Sequence, residues 1–143
     1  MKNEFTIFYT DDDPEDLEFF KEIVEGIDED LVVVTQSNGQ ELLSALDNPP
    51  PAPQLVFLDI NMPGMNGYDI LSKLRALGSH NELPIIMFTT STDTEAISKS
   101  RELGATYYLP KSGAFDGLKK SIEHALTINW KTFVPDENNF VYR

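Results

Sequence analysis

Cysteine is absent from this 143-residue chain, which excludes disulfides and every thiolate metal site. No apolar run approaches the roughly 20 residues that a membrane-spanning helix needs. Basic side chains are scarce, 11 against 24 acidic ones, and the resulting net charge of −13 repels phosphate backbones. Direct binding to nucleic acid and contact with a membrane are therefore not expected, whereas a cation or a basic protein surface suits this charge. No glycine-rich, phosphate-cradling loop follows the first strand, so nucleotide binding is not suggested. The N-terminus, Met1-Lys2-Asn3-Glu4, runs straight into a strand and lacks the apolar segment of a signal peptide. A cytoplasmic location is the expectation. There is also no internal repeat and no β-hairpin signal.

What is present is enough apolar residue, 41%, to build one ordinary core. Five segments read as strands: Phe5–Thr10, Leu31–Thr35, Leu55–Asp59, Pro84–Thr89 and Thr106–Leu109. The second and third are continuous apolar runs, the pattern of strands buried on both faces. Helical patterns alternate with them. Pro14 to Ile27 opens with Asp13 as N-cap and proline at the first position. Gly39 to Asp47 carries Asn38 and Glu41 placed like a capping box, and Tyr68 to Leu77 stops at Gly78. Thr92 with Glu95 is expected to cap a helix reaching about Leu103, and Phe115 to about Thr127 is the last. Asn48-Pro49-Pro50-Pro51-Ala52-Pro53 can be neither helix nor central strand and reads as an extended surface connection. Five strands alternating with five helices predict a doubly wound parallel sheet with helices on both faces.

In such a sheet all the strand C-termini share one edge, and ligands bind there. The first strand ends in Asp11, Asp12 and Asp13, the third in Asp59, and the fourth in Thr89, Thr90 and Ser91. Lys111 lies just past the fifth. Carboxylates crowded into one crevice cannot all ionise cheaply unless a cation joins them. Hard oxygen ligands with water retained are what Mg²⁺ requires. An ion between Asp12 and Asp59, with the Asn61 carbonyl in reach, would leave an Asp59 oxygen free to attack phosphorus. Lys111 and the Thr89 hydroxyl would then bind the incoming phosphoryl oxygens.

In order and interval, these residues resemble a response-regulator receiver domain of two-component signalling. The motifs are the acidic pair Asp11-Asp12, the block Asp59-x-x-Met62-Pro63-x-Met65-x-Gly67, Thr89 and Lys111, and the resemblance covers roughly residues 4 to 128. It implies a flavodoxin-like fold, strand order 2-1-3-4-5, in a stand-alone domain over residues 1–128. Asp59 would be the phosphoacceptor, served by a sensor histidine kinase or a histidine phosphotransfer protein. Mg²⁺ would be held by Asp12, Asp59 and the Asn61 backbone carbonyl, with Asp11 acting mainly through water. Thr89 and Tyr108 would form the switch, and Asn61 and Ser91 would tune dephosphorylation. Such a chain is not an enzyme beyond turnover of its own phosphoryl group. Its output would be a downstream target protein, with a weak homodimer as a further association.

Two features depart from the family pattern. Ser112 follows Lys111 where receivers usually carry proline after a cis peptide. A cis bond to serine would cost about 3–4 kcal/mol, so either a trans loop with altered lysine geometry or a strained cis bond is expected. The tail, residues 129–143, lies outside the common pattern, and Trp130 and Phe133 are expected to pack on the domain surface. Two rival readings are a phosphorylation-independent interaction module and an aspartate-nucleophile phosphohydrolase. Asp11-x-Asp13 mimics the start of haloacid-dehalogenase-like enzymes, but Glu15 stands where those carry Thr or Val.

Overall fold

The computed structural model describes residues 4–143, so the reading made on Met1, Lys2 and Asn3 lies outside the described residues. The elements run β1 (Phe5–Thr10), α1 (Pro14–Ile27), β2 (Leu31–Gln36), α2 (Gly39–Asp47) and β3 (Leu55–Leu58). They continue with α3 (Gly67–Ala76), β4 (Ile85–Thr89), α4 (Thr94–Glu102), β5 (Tyr107–Pro110) and α5 (Phe115–Thr127). The five strands form one parallel sheet in the order β2-β1-β3-β4-β5. The flavodoxin-like expectation is met. Among the described residues, no helix is long and apolar enough to cross a membrane.

Strand alternation divides the core in two. Phe8, Val56, Leu58, Met87 and Tyr108 face Leu42, Ile70, Leu71 and Leu74. Ile7, Tyr9, Phe57, Phe88 and Leu109 face Phe20, Ile23 and Val24 of α1 and Ile122 of α5. The second layer is a knot of rings. Tyr9, Phe20, Phe57 and Phe88 lie with centroids 4.4 to 5.8 Å apart, mostly edge to face. All four residues of β3 are buried, as a central parallel strand requires.

Several local expectations need correction. β2 is not buried on both faces: only Val33 and Gln36 are buried, because it is an edge strand with one side open. The α4 cap is Asp93, not Thr92, and it makes no side-chain cap bond. Asn38 accepts the Glu41 N–H at 2.8 Å, yet the Glu41 carboxylate accepts from Ser37 N–H rather than closing the box on Asn38. A complete capping box, Asn66 with Asp69, instead starts α3 one residue earlier than the apolar spacing predicts.

The far end of the sheet is held by Arg75. Its guanidinium donates to the carbonyls of Gly104 (2.9 Å), His80 (2.6 Å) and Leu83 (2.9 Å) and to the Thr106 hydroxyl (3.3 Å). One planar fork thereby joins the end of α3, the approach to β4 and the start of β5.

Beyond α5 the chain turns back along β5. The Trp130 indole N–H donates to the Ala125 carbonyl at 3.1 Å. The rings of Trp130 and Phe133 stand 5.6 and 5.8 Å from Tyr107. Phe140 is buried, and Val141 forms a parallel bridge with Tyr108. The apolar spacing gave no sign of that strand-like pairing.

Lysine keeps the charge of Arg75 but cannot span its acceptors. Arg75→Lys is expected to cost about 1–3 kcal/mol through unpaired carbonyls. A lowered urea midpoint at unchanged slope would report it; an unchanged midpoint would deny the fork its structural role.

Candidate functional site

The strand ends bring together the carboxylates, hydroxyl and ammonium that the sequence placed on one edge. Asp11 follows β1 directly and is 1% exposed. Its two oxygens are already engaged: Oδ1 accepts the Asp13 N–H at 3.0 Å, and Oδ2 accepts the Tyr9 hydroxyl and the Lys111 ammonium, the latter at 2.6 Å. Asp12 is exposed beside it, and Asp13 points away to cap α1. Asp59 sits one residue past β3, its N–H donating to the Thr10 carbonyl at 3.0 Å, and it is 6% exposed. Carboxylate oxygens of Asp11, Asp12 and Asp59 lie within 4.8 Å of one another.

Lys111 is brought in from β5, its N–H bonded to the Thr89 carbonyl at 2.7 Å. The Lys111–Ser112 peptide is trans, which decides between the two geometries expected for that loop. The ammonium stands 2.6 Å from Asp11, 3.1 Å from Asp16 and 3.7 Å from Asp59. Its tightest partners are therefore Asp11 and Asp16. Thr89 is wholly buried, and its hydroxyl has no hydrogen-bond partner among the described residues. Such a group ordinarily finds one, so this donor is free for an oxygen arriving at the site. Tyr108 is fully buried with its hydroxyl on the Ser91 carbonyl at 2.8 Å. Asn61 is exposed and Ser91 half-buried at the mouth of the crevice.

Two members escaped the sequence reading. Tyr9 lies two residues before Asp11, hence on the same strand face, and that period of two was the available signal. By sequence Asp16 is an ordinary acid in the first turn of a helix, where the helix dipole favours it; it also reaches Lys111 at 3.1 Å, because α1 starts at the same sheet edge.

The electrostatics follow from three carboxylates around one ammonium, with Asp12 close to two of them. Burial raises the Asp59 pKa from 3.8 to about 6; Lys111 opposes the shift, while Asp11 and Asp12 reinforce it. Burial acts against the Lys111 charge, but the hydrogen bond it donates to Asp11 and the charges of Asp59, Asp11 and Asp16 outweigh it and raise its pKa. Burial, then the Asp11 charge, pushes the Tyr9 hydroxyl far up, so it remains a donor. A divalent cation fits this donor set: hard oxygens from two buried carboxylates and an exposed one, in excess of local positive charge.

The loop after Asp59 folds back on it through Gly67, whose N–H donates to the Ile60 carbonyl at 2.9 Å. A Cβ there would stand 2.4 Å from the Asp59 carbonyl oxygen.

A family model for the response regulator receiver domain matches residues 7–123. The chain is a response-regulator receiver domain. The nitrate/nitrite response regulator NarL of Escherichia coli K12 is 34% identical over 123 residues, 84% of this chain and 54% of that protein. The response regulator MtrA of Mycolicibacterium smegmatis is 36% identical over 105 residues, 73% of this chain and 43% of that protein. The receiver thus spans about half, or less, of the curated relatives it matches. Among solved structures, response regulator RPA3017 of red-light signalling in R. palustris superposes with a TM-score of 0.80 at 20% identity, covering 92% of this chain and 99% of that one. The phosphorylated cyanobacterial phytochrome response regulator RcpA gives 0.79 at 23% identity, covering 92% and 97%. These two likenesses are of fold.

Two outcomes test the geometry of this receiver. Folding raises the Asp59 pKa, so its contribution to stability is complete below about pH 3.8 and is lost as pH rises through about 6. Asp59→Asn is expected to be more stable than wild type at pH 7.5 by about 3 kcal/mol, at 1.36 kcal/mol per pKa unit. The gap should close towards pH 4, and a gap of constant size across denaturation curves would refute the burial argument. Gly67→Ala is expected to destabilise by about 1–3 kcal/mol, since the obstacle is backbone; an unaltered unfolding midpoint would contradict that close approach.

Proposed function

We propose that Asp59 accepts a phosphoryl group from a phosphohistidine on a sensor histidine kinase or a histidine phosphotransfer protein. The single observation carrying this reading is the buried Thr89 hydroxyl without a partner among the described residues, at the sheet edge that also holds three clustered carboxylates and the Lys111 ammonium. Receiver domains take phosphate from histidine kinases and act on downstream targets, and they hold Mg²⁺ in an acidic pocket.

Asp12, Asp59 and the Asn61 backbone carbonyl would hold Mg²⁺ directly. Asp11, already committed to Tyr9, Lys111 and the Asp13 N–H, suits an indirect role. Bound there, the ion would supply charge neutralisation for an approaching phosphoryl oxygen. The residues perform the rest. An Asp59 carboxylate oxygen forms the O–P bond as the P–N bond breaks, and the imidazole nitrogen keeps the bonding pair. Lys111, held near by Asp11 and Asp16, neutralises the developing charge, and the Thr89 hydroxyl donates to a phosphoryl oxygen. Asn61 and Ser91 at the mouth govern how water reaches the product. The product adds nearly two negative charges at the sheet edge. Thr89 and Tyr108 pass that change to the α4–β5–α5 surface, where a downstream protein or a second copy of the domain would bind. We assign residues 1–128 to the receiver proper and residues 129–143 to a tail packed upon it. Turnover of its own acyl phosphate is the only catalysis this reading requires, and it fits a cytoplasmic protein.

Incubation with acetyl phosphate and Mg²⁺, read by intact mass, tests the assignment. Wild type should gain one phosphoryl group and Asp59→Asn none, with the gain abolished by chelation. Lys111→Ala should slow the gain by about 10²-fold. Equal phosphorylation of the Asn variant would overturn the site.

A further inference from the structure

Tyr108 occupies an unusual position for a residue on an edge strand. β5 ends the five-stranded sheet, so one side of its backbone would face water. Instead the Tyr108 N–H donates to the Phe140 carbonyl at 2.8 Å, and the Tyr108 carbonyl accepts the Tyr142 N–H at 3.0 Å. Phe140 is 2% exposed and belongs to the same apolar cluster as Tyr108, with ring centroids 6.4 Å apart. Ala96, Ile97 and Leu103, on or beside α4, pack against that cluster. On its other side the Tyr108 hydroxyl reaches the Ser91 carbonyl, two residues beyond the unpartnered Thr89 hydroxyl. One side chain is therefore held from both ends, by the tail through its backbone and by the site's loop through its hydroxyl.

We propose that residues 140–142 are an intramolecular ligand of the β5 edge whose docking is coupled, through Tyr108, to phosphorylation of Asp59. The proposal rests on the reading of Asp59, Thr89 and Tyr108 given above. Two backbone bonds and the packing of Phe140 fix Tyr108 with its ring inward, where its hydroxyl meets the loop after β4. Elsewhere that region is weakly restrained: α4 buries only Ser100, and its N-cap makes no side-chain bond. A phosphoryl group that draws in Thr89 therefore acts on a ring the tail has already ordered. Coupling of this kind is reciprocal, so tail docking and occupancy of Asp59 strengthen each other by the same factor. The tail also closes the β5 edge to strand addition. A partner that uses this edge must displace Phe140.

The test uses the full chain and beryllofluoride with Mg²⁺ as the phosphoryl mimic. Amide exchange of Tyr108 and Tyr142 is expected to slow by about fivefold or more on adding the mimic, and Phe140→Ala should weaken its binding by the same factor. Tyr142→Pro removes one donor and leaves Phe140 in place, so it gives the same direction if the alanine variant fails to fold. Trp130, the chain's one tryptophan, reports through its fluorescence whether the tail base stays docked in each variant. Suppose the Asp59 and Thr89 amides respond to the mimic while Tyr108 and Tyr142 protection and the variants' affinities do not change. The coupling is then overturned and the site assignment stands. No response at Asp59 or Thr89 would remove the site assignment, and the coupling with it.

Discussion

The Lys111 ammonium holds together a group of carboxylates that would otherwise repel. Asp11, Asp16 and Asp59 all lie within 4.0 Å of it, at the end of a sheet whose interior is apolar. Two of those carboxylates are nearly buried, and a buried charge without a partner is costly. The lysine is a partial answer only. It sits closest to Asp11, and at Asp59 burial outweighs the opposing charge of the lysine and holds that carboxyl above the usual carboxylate range. Much of the local architecture serves this imbalance: the Tyr9 hydroxyl and the Asp13 N–H take up the remaining capacity of Asp11. Among the described residues, the buried side-chain polar atom left without a partner is the Thr89 hydroxyl, at the same sheet edge as Asp59.

Most of the scaffold was legible because buried parallel strands and amphipathic helices leave different periods in the chain. β1 and β3, buried on both faces, and α1 and α5, each with one apolar stripe, illustrate this. The misreadings have physical reasons. The valines of β2 look the same whether a strand is central or at an edge, and only the strand order tells which. The α4 cap lies at Asp93, one residue past Thr92, and a helix that buries a single serine has little apolar spacing to mark where it starts.

Legibility of the site came from topology. Asp11, Asp59, Thr89 and Lys111 are far apart in the chain, yet a parallel sheet sends every strand's C-terminal end to one edge. Tyr9 and Asp16 are harder to find, since an aromatic in a buried strand and an acid at a helix start need no further role. Their second role depends on where Lys111 points, which no local pattern encodes. The Phe140 contact is harder still: three residues pairing with an edge strand leave no periodicity at all.

The two faces of the sheet are not equivalent mechanically. On one side Tyr9, Phe20, Phe57 and Phe88 interlock across α1 and three strands. On the other, the layer near α4 is mostly Leu, Ile and Met, with the Tyr108 and Phe140 rings only loosely paired at 6.4 Å, and α4 buries only Ser100. Interlocked rings resist sliding, whereas a helix that buries one small side chain has little packing to hold it in place. The domain therefore behaves as a clamp with one fixed jaw and one compliant jaw. A disturbance at the Asp59 edge meets stiffness toward α1 and yields toward α4, so the direction of its response is set by side-chain shape before any partner arrives.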